Sequence, residues 1–166
     1  MSRITVEKIN GDGTQSSIFT KMKNLAEQVR QRAFDIFKHR SPNDGSDLDD
    51  WFKAERDLIW APESDLVEKD GKFEMQVAVP GFDAKDVEVT ALPEAIVVCA
   101  ESTHQHDDAD GNVRFCEFGE RTLFRRFDLP APINVDKVTA DLDKGVLKLT
   151  AFKAEKAGET KAPANA

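Results

Sequence analysis

Few residues in this chain are suited to chemistry, and their spacing limits what each could do. The richest stretch is His106-Asp107-Asp108-Ala109-Asp110-Gly111, continued by Val113 and Glu117. Oxygens at the first, third, fifth and twelfth positions, with glycine at the sixth, would wrap a calcium ion. The first position here is His106, where a carboxylate is needed, and strand-like runs rather than helices flank the loop. A solvated hairpin loop accounts for the same residues better. His104 and His106 stand two apart beside acidic residues, a spacing open to a weak transition-metal site. The chain has 3 histidines, the other being His39, so a closed site would also need carboxylates. Cys99 or Cys116 as a nucleophile would need a nearby base and an orienting group, and no such motif surrounds either. Asp107-Asp108 lies in a loop, poor ground for positioned acid–base work. No glycine-rich phosphate loop occurs. This reading leaves no catalytic residue, no metal site and no cofactor, and the enzyme class has no constellation behind it.

Composition narrows the remaining classes. The 166 residues allow one compact domain and a helical or flexible extension. Lys and Arg number 23 against 31 Asp and Glu, a net charge of −8. A nucleic-acid partner calls for concentrated positive charge, and no basic patch stands out. No run of roughly 18 apolar residues is present, so no membrane partner is expected. Met1 to Phe19 lacks the apolar core of a secretory signal. Cys99 and Cys116 have no CxxC spacing, and two reduced thiols in a cytoplasmic protein are the expectation.

Three periodicities divide the chain. From Ser16 to about His39, Ile18, Met22, Leu25, Val29, Ala33, Phe34 and Phe37 recur at three-four spacing, the apolar stripe of a helix. Ser41-Pro42-Asn43-Asp44-Gly45 breaks it. A second helix begins at Ser46, whose hydroxyl can cap it, with Asp47, Asp49 and Asp50 at the positive end of the dipole. Leu48, Trp51, Phe52, Leu58 and Ile59 supply its apolar side, and Pro62 marks its end. From Asp65 the period changes to two. Phe73, Met75, Val77 and Val79 alternate with Glu74, Gln76 and Ala78, and Ala95 to Ala100 forms a dense apolar run. Asp70-Gly71, Pro80-Gly81, Asp110-Gly111 and Lys144-Gly145 punctuate these runs at hairpin intervals. Many short strands without intervening helices predict a β-sandwich. The reading is a mainly β protein, an antiparallel immunoglobulin-like sandwich over 60–153. An α-helical N-terminal arm covers 1–59, and 154–166 form a disordered tail.

Four motifs fall in register within the sandwich. They are Pro62-Glu63-Ser64-Asp65-Leu66-Val67-Glu68, Val79-Pro80-Gly81-Phe82 followed by Asp86-Val87-Glu88-Val89, Phe124-Arg125-Arg126-Phe127-Asp128-Leu129-Pro130, and Ala140-Asp141-Leu142-Asp143-Lys144-Gly145-Val146-Leu147. Together they resemble the α-crystallin domain of bacterial small heat-shock proteins, from Trp60 to Lys153. In addition, Arg32-Ala33-Phe34-Asp35-Ile36-Phe37 and Asp47 to Arg56 are similar to a small helical module of bacterial proteins. The simpler account of that segment is two helices covering an apolar surface.

The resemblance implies a stress-response chaperone that holds partly unfolded proteins without ATP and prevents their aggregation. It implies self-association as a dimer by strand exchange, and homo-oligomers beyond that. The loop from Ser102 to Glu120 is long enough to carry the exchanged strand, placed at Val113 to Phe118. Arg114, Phe115, Cys116 and Glu117 would then lie at the dimer interface. Arg125, at the arginine position of the family motif, would pair with an acidic group there. Phe34, Phe37, Trp51 and Phe52 are the client contacts the arm could offer. Family members carry an I-x-I or I-x-V pair in the C-terminal tail that docks in a groove of a neighbouring dimer. The tail here, Lys161-Ala162-Pro163-Ala164-Asn165-Ala166, has none. Ile4-Thr5-Val6 is the terminal candidate, docking from the N-terminus instead. The rival reading is a CS-domain-like adaptor that binds one defined partner.

Overall fold

Alternation of apolar and polar residues produces two stacked five-stranded sheets. The structure is a computed structural model that describes residues 1–10, 17–102, 111–114 and 121–155. In chain order it contains β1 (Ser2–Ile4), β2 (Val6–Lys8), α1 (Ser17–His39), α2 (Asp47–Leu58), β3 (Ile59–Trp60), β4 (Ser64–Lys69) and β5 (Lys72–Ala78). A 3₁₀ turn (Ala84–Asp86) leads to β6 (Val87–Leu92), β7 (Ala95–Ser102), β8 (Arg121–Asp128), β9 (Ile133–Asp143) and β10 (Val146–Lys153). One sheet runs β1-β9-β10-β5-β4 and the other β2-β6-β7-β8-β3. All pairings are antiparallel except the outer ones of the second sheet, where β2 joins β6 and β3 joins β8 in parallel.

The sequence period places the core. Phe73, Met75 and Val77 of β5 lie opposite Ala151, Leu149 and Leu147 of β10, and all six are buried. Val89 of β6, Ile96 and Val98 of β7 and Leu123 of β8 meet them from the other sheet. Two-residue turns set the register. Asp70-Gly71 joins β4 to β5 and Lys144-Gly145 joins β9 to β10, and all four residues have positive φ. Such turns match the twist of the strands they connect.

The helices obey local rules as well. Ser46 Oγ accepts from the Asp49 N–H at 3.3 Å, and Asp49 Oδ2 accepts from the Ser46 N–H at 2.8 Å, a reciprocal cap at the start of α2. That hydrogen bond to backbone, then the Ser46 hydroxyl, holds the Asp49 carboxyl below its ordinary range.

Two elements differ from the sequence reading. The second helix ends at Leu58, before Pro62, and Ile59 is extended. Pairing of Ile59-Trp60 with Thr122-Leu123 of β8 outweighs one more helical turn, because it caps a sheet edge. Strands β1 and β2 have no counterpart in the periodicity, since three residues are too short to show one. The calcium-like loop, His104 and His106, Phe115 to Glu117 and the tail beyond 155 lie wholly or largely outside the described residues.

Gly145 tests the hairpin. A Cβ there would meet Pro80 Cα at 3.5 Å, ordinary contact, so strain at φ +77 rather than a clash decides the effect. Gly145→Ala is expected to destabilise the protein by about 1–2 kcal/mol. A urea midpoint lowered at constant slope is the expected result, and an unmoved midpoint contradicts the turn.

Candidate functional site

No cluster of three or more metal-binding side chains exists among the described residues. What the molecule presents is an open sheet edge, a filled seam and an apolar helical hairpin.

The open edge belongs to β4. It pairs with β5 on one side, and no strand pairs with its other side among the described residues. Val67 is 53% exposed and Leu66 is exposed beside it, while Ser64 Oγ is buried without a hydrogen-bond partner. A row of unpaired N–H and C=O groups is a template for strand addition. Arg125 of β8 stands behind the lead-in to this strand. Its half-buried guanidinium lies 5.5 Å from the Phe127 ring, and Nη1 donates to the Pro62 carbonyl at 3.3 Å. Within one chain Arg125 is thus held by a carbonyl and a ring, with no carboxylate partner among the described residues. Arg114 is exposed in the short segment 111–114, and Phe115, Cys116 and Glu117 lie outside the described residues.

The filled seam lies at the opposite side. Ile4 of β1 sits opposite Ala140 of β9, in the first sheet. Val6 of β2 sits beside Val89 of β6, in the second. Thr5 is the step between them. Ile4 is 5% exposed and belongs to the sandwich core, and Val6 is half-buried against it. The Ile9 N–H then donates to the Ala91 carbonyl at 2.9 Å, carrying the chain onto the outer face of the second sheet.

The hairpin of α1 and α2 covers that face. Arg40 at the end of α1 reaches Asp50 of α2, Nε to Oδ2 at 2.8 Å, with side chains only 14% and 6% exposed. Arg32 and Asp57 add a second tie at 3.1 Å. Phe34 and Phe37 point outward, 57% and 49% exposed, with rings stacked at 6.3 Å and Lys38 and Arg40 over them. Trp51 and the exposed Phe52 line a cleft of about 450 Å³. Its walls include Met22, Leu25 and Val29 of α1 and Phe124 of β8. Phe34 and Phe37 lie together, whereas Phe52 faces the cleft. Trp51 borders both areas. Lys21 Nζ meets Glu88 Oε1 at 2.7 Å. Burial opposes the Lys21 charge, but Glu88 prevails and raises the ammonium above its ordinary range. Beneath α1, burial pushes the Cys99 thiol up to about 11, which keeps it protonated and inert at neutral pH.

This architecture matches known proteins. Residues 65–163 match the model of the Hsp20/alpha crystallin family, more than half of the chain. The chain belongs to that family. Its sandwich is an α-crystallin domain, and its relatives are generally ATP-independent chaperones. It is similar to small heat shock protein C2 of Rickettsia felis, 27% identical over 65% of this chain and 68% of the other. A chloroplastic 22 kDa heat shock protein of Chlamydomonas reinhardtii is 34% identical over 55% of this chain and 59% of its own length. Among solved structures, heat shock protein 16.0 of Schizosaccharomyces pombe aligns with a TM-score of 0.50 at 26% identity. The alignment covers 59% of this chain and 91% of that one. Residues 25–58, which span most of the hairpin, match a separate family of proteins of unknown function, DUF2934.

Sequence reasoning missed the outer face of β7 as a surface. Its signal was the unbroken run Ala95 to Ala100, since a strand buried on one face only would alternate.

The Arg40–Asp50 pair sets the rigidity of the hairpin. Arg40→Ala leaves the buried Asp50 carboxylate without its guanidinium partner and is expected to loosen the hairpin. Hydrogen exchange should then rise in α2 while β7 and β10 stay protected. Unchanged exchange in α2 would assign the hairpin's cohesion to its apolar contacts alone.

Proposed function

We propose that this small heat-shock protein is an ATP-independent holding chaperone that binds partly unfolded proteins in the cytoplasm and suppresses their aggregation. The observation that carries the reading is the family match across the sandwich. Capture by apolar contact needs no fuel. At roughly 25 cal/mol per Å², a few hundred Å² of buried client surface supplies several kcal/mol of attraction. The stacked Phe34 and Phe37, with Trp51 and Phe52, are the exposed aromatic contacts this reading uses.

Assembly follows from the edges. The unpaired side of β4 accepts a strand from residues 113–118 of a second copy, giving a dimer by exchange. Exposed Leu66 and Val67 support that edge as an interface. Arg125, anchored on Pro62 beside it, orders the start of the edge strand and leaves N–H groups for an acidic side chain of the partner. Ile4 and Val6 fill the seam between β6 and β9 as an apolar pair docked from the N-terminal segment.

Light scattering of a heat-labile client, warmed without ATP, tests the activity, with the protein's own mass read by multi-angle scattering. Suppression by a dimer or larger assembly is expected. Absent suppression from a monomer would overturn the reading and point to an adaptor. Arg125→Ala should weaken the dimer, and an unchanged mass across dilution would remove the residue from the interface.

The seam makes a separate prediction. Ile4→Ser/Val6→Ser removes two apolar contacts from the seam and should shift both assembly size and activity. A circular-dichroism melt confirms that the sandwich persists. Unaltered size and activity in a folded variant would refute the docking role.

A further inference from the structure

β7 breaks the rule of its own fold. A strand in a two-sheet sandwich turns one face to the core and the other to water. Ala95, Ile96, Val97, Val98, Cys99 and Ala100 are all buried. Ile96 and Val98 belong to the core between the sheets. Val97 and Cys99 belong to a second cluster on the outer face, closed by Ile9 and Ile18, with Phe19, Met22 and Phe124 packed against it. The two clusters are separate, and the sandwich core contains no residue of α1 or α2. The sandwich is therefore complete without the hairpin. The hairpin is tied internally by Arg40–Asp50 and Arg32–Asp57, contacts that do not involve the sheet.

Its hold on the sheet is incomplete. The cleft of about 450 Å³ lies between the hairpin and Phe124, open at one side. That volume falls within the roughly 300–1,000 Å³ of ligand pockets. The lining is aliphatic and aromatic, and its charged members, Glu55 and Arg56, carry opposite signs. Such a rim favours an occupant without net charge. The resident occupant of the neighbouring strip shows what fits there. Ile18, Phe19 and Met22 of α1 present branched, aromatic and flexible apolar groups from a single short segment. A stretch of unfolding polypeptide offers the same groups.

We propose that the outer face of β7 and β8 is a capture surface for uncharged, apolar segments of unfolding polypeptide, which enter through the cleft and displace the α1–α2 hairpin. This rests on the holding-chaperone reading and names the surface on which holding occurs. The ion pair Lys21–Glu88, which joins α1 to β6, is a latch of modest strength, as partly exposed pairs are. Cys99 lies under the lid and reports its position without taking part.

Two experiments decide the matter, both with the full chain, reaction at Cys99 being separated from reaction at Cys116 by peptide mass mapping. In the first, alkylation of Cys99 at neutral pH is timed with and without a heat-labile client at the client's unfolding temperature. Client should accelerate labelling about ten-fold or more, as opening of a covered site requires. Labelling indifferent to client overturns the proposal. In the second, Lys21→Cys/Glu88→Cys is bridged by a flexible bismaleimide, the bridge being checked by mass and the fold by circular dichroism. The unbridged variant should suppress aggregation, and bridging should remove most of that activity. Equal suppression by both forms would place capture elsewhere, on Phe34 and Phe37 for instance, while leaving the chaperone reading intact. Absence of suppression from the parent chain itself would overturn the chaperone reading and the proposal together.

Discussion

Every open β-sheet ends in two strands whose outer N–H and C=O groups lack partners, and two stacked sheets have four such edges. In this protein three of them are closed by pieces borrowed from the arm. β1 lies along β9, β2 along β6, and Ile59-Trp60 along β8. Each piece is only two or three residues long and covers part of the strand it joins. The fourth edge, β4, is left without a partner strand among the described residues. Placement of the arm, the crossing of Thr5 from sheet to sheet and the course of α1 over the second sheet all follow from this closing of edges.

Closing the edges from the N-terminus has a consequence for the outer face. Once Ile9 is hydrogen-bonded to Ala91, the chain is delivered onto the back of β6 and β7. α1 then lies over Val97 and Cys99 instead of standing free in solvent. A face that would otherwise be polar could therefore evolve as apolar. The result is two apolar layers of unequal character. The inner one joins both sheets and is buried between them. The outer one is small, bordered by a cleft, and separable from the first.

How much of this was legible depended on the length of the repeating signal. Alternation of Phe73, Met75 and Val77 gave β5 and its buried face directly. Ser46 announced the start of α2 because its hydroxyl can cap the first turn and Asp47, Asp49 and Asp50 follow at the positive end of the dipole, and the reciprocal Ser46–Asp49 cap completes that start. Lys144-Gly145 announced the hairpin because glycine permits the turn, and both positions have positive φ. Ile59 was read as helical because it joined Leu48, Trp51, Phe52 and Leu58 on an apolar side ending at Pro62, and the tertiary pairing with Thr122 overrides that. Ile4 and Val6 were marked by their branched side chains and not by any strand pattern, so their partners could not be read from sequence. The same holds for Arg125. Its position in the family motif implied an acidic partner at a dimer interface, which a single chain does not test; among the described residues its guanidinium donates to the carbonyl of Pro62, a contact 63 residues away in sequence.

The balance between the lid and its competitors is a comparison of like with like. α1 is held to the sheet chiefly by apolar burial, as a captured segment would be, so neither has an advantage in kind. Geometry favours the hairpin, because it is tethered and its local concentration is high. Number favours the client, because an unfolding protein exposes many apolar stretches at once and each can enter the cleft. While neighbouring proteins are folded the tether wins, and the strip stays covered. When they unfold, mass action shifts the same equilibrium towards capture. A switch of this kind needs no nucleotide and no covalent step. It responds to the concentration of exposed apolar chain, the quantity that a holding chaperone must sense.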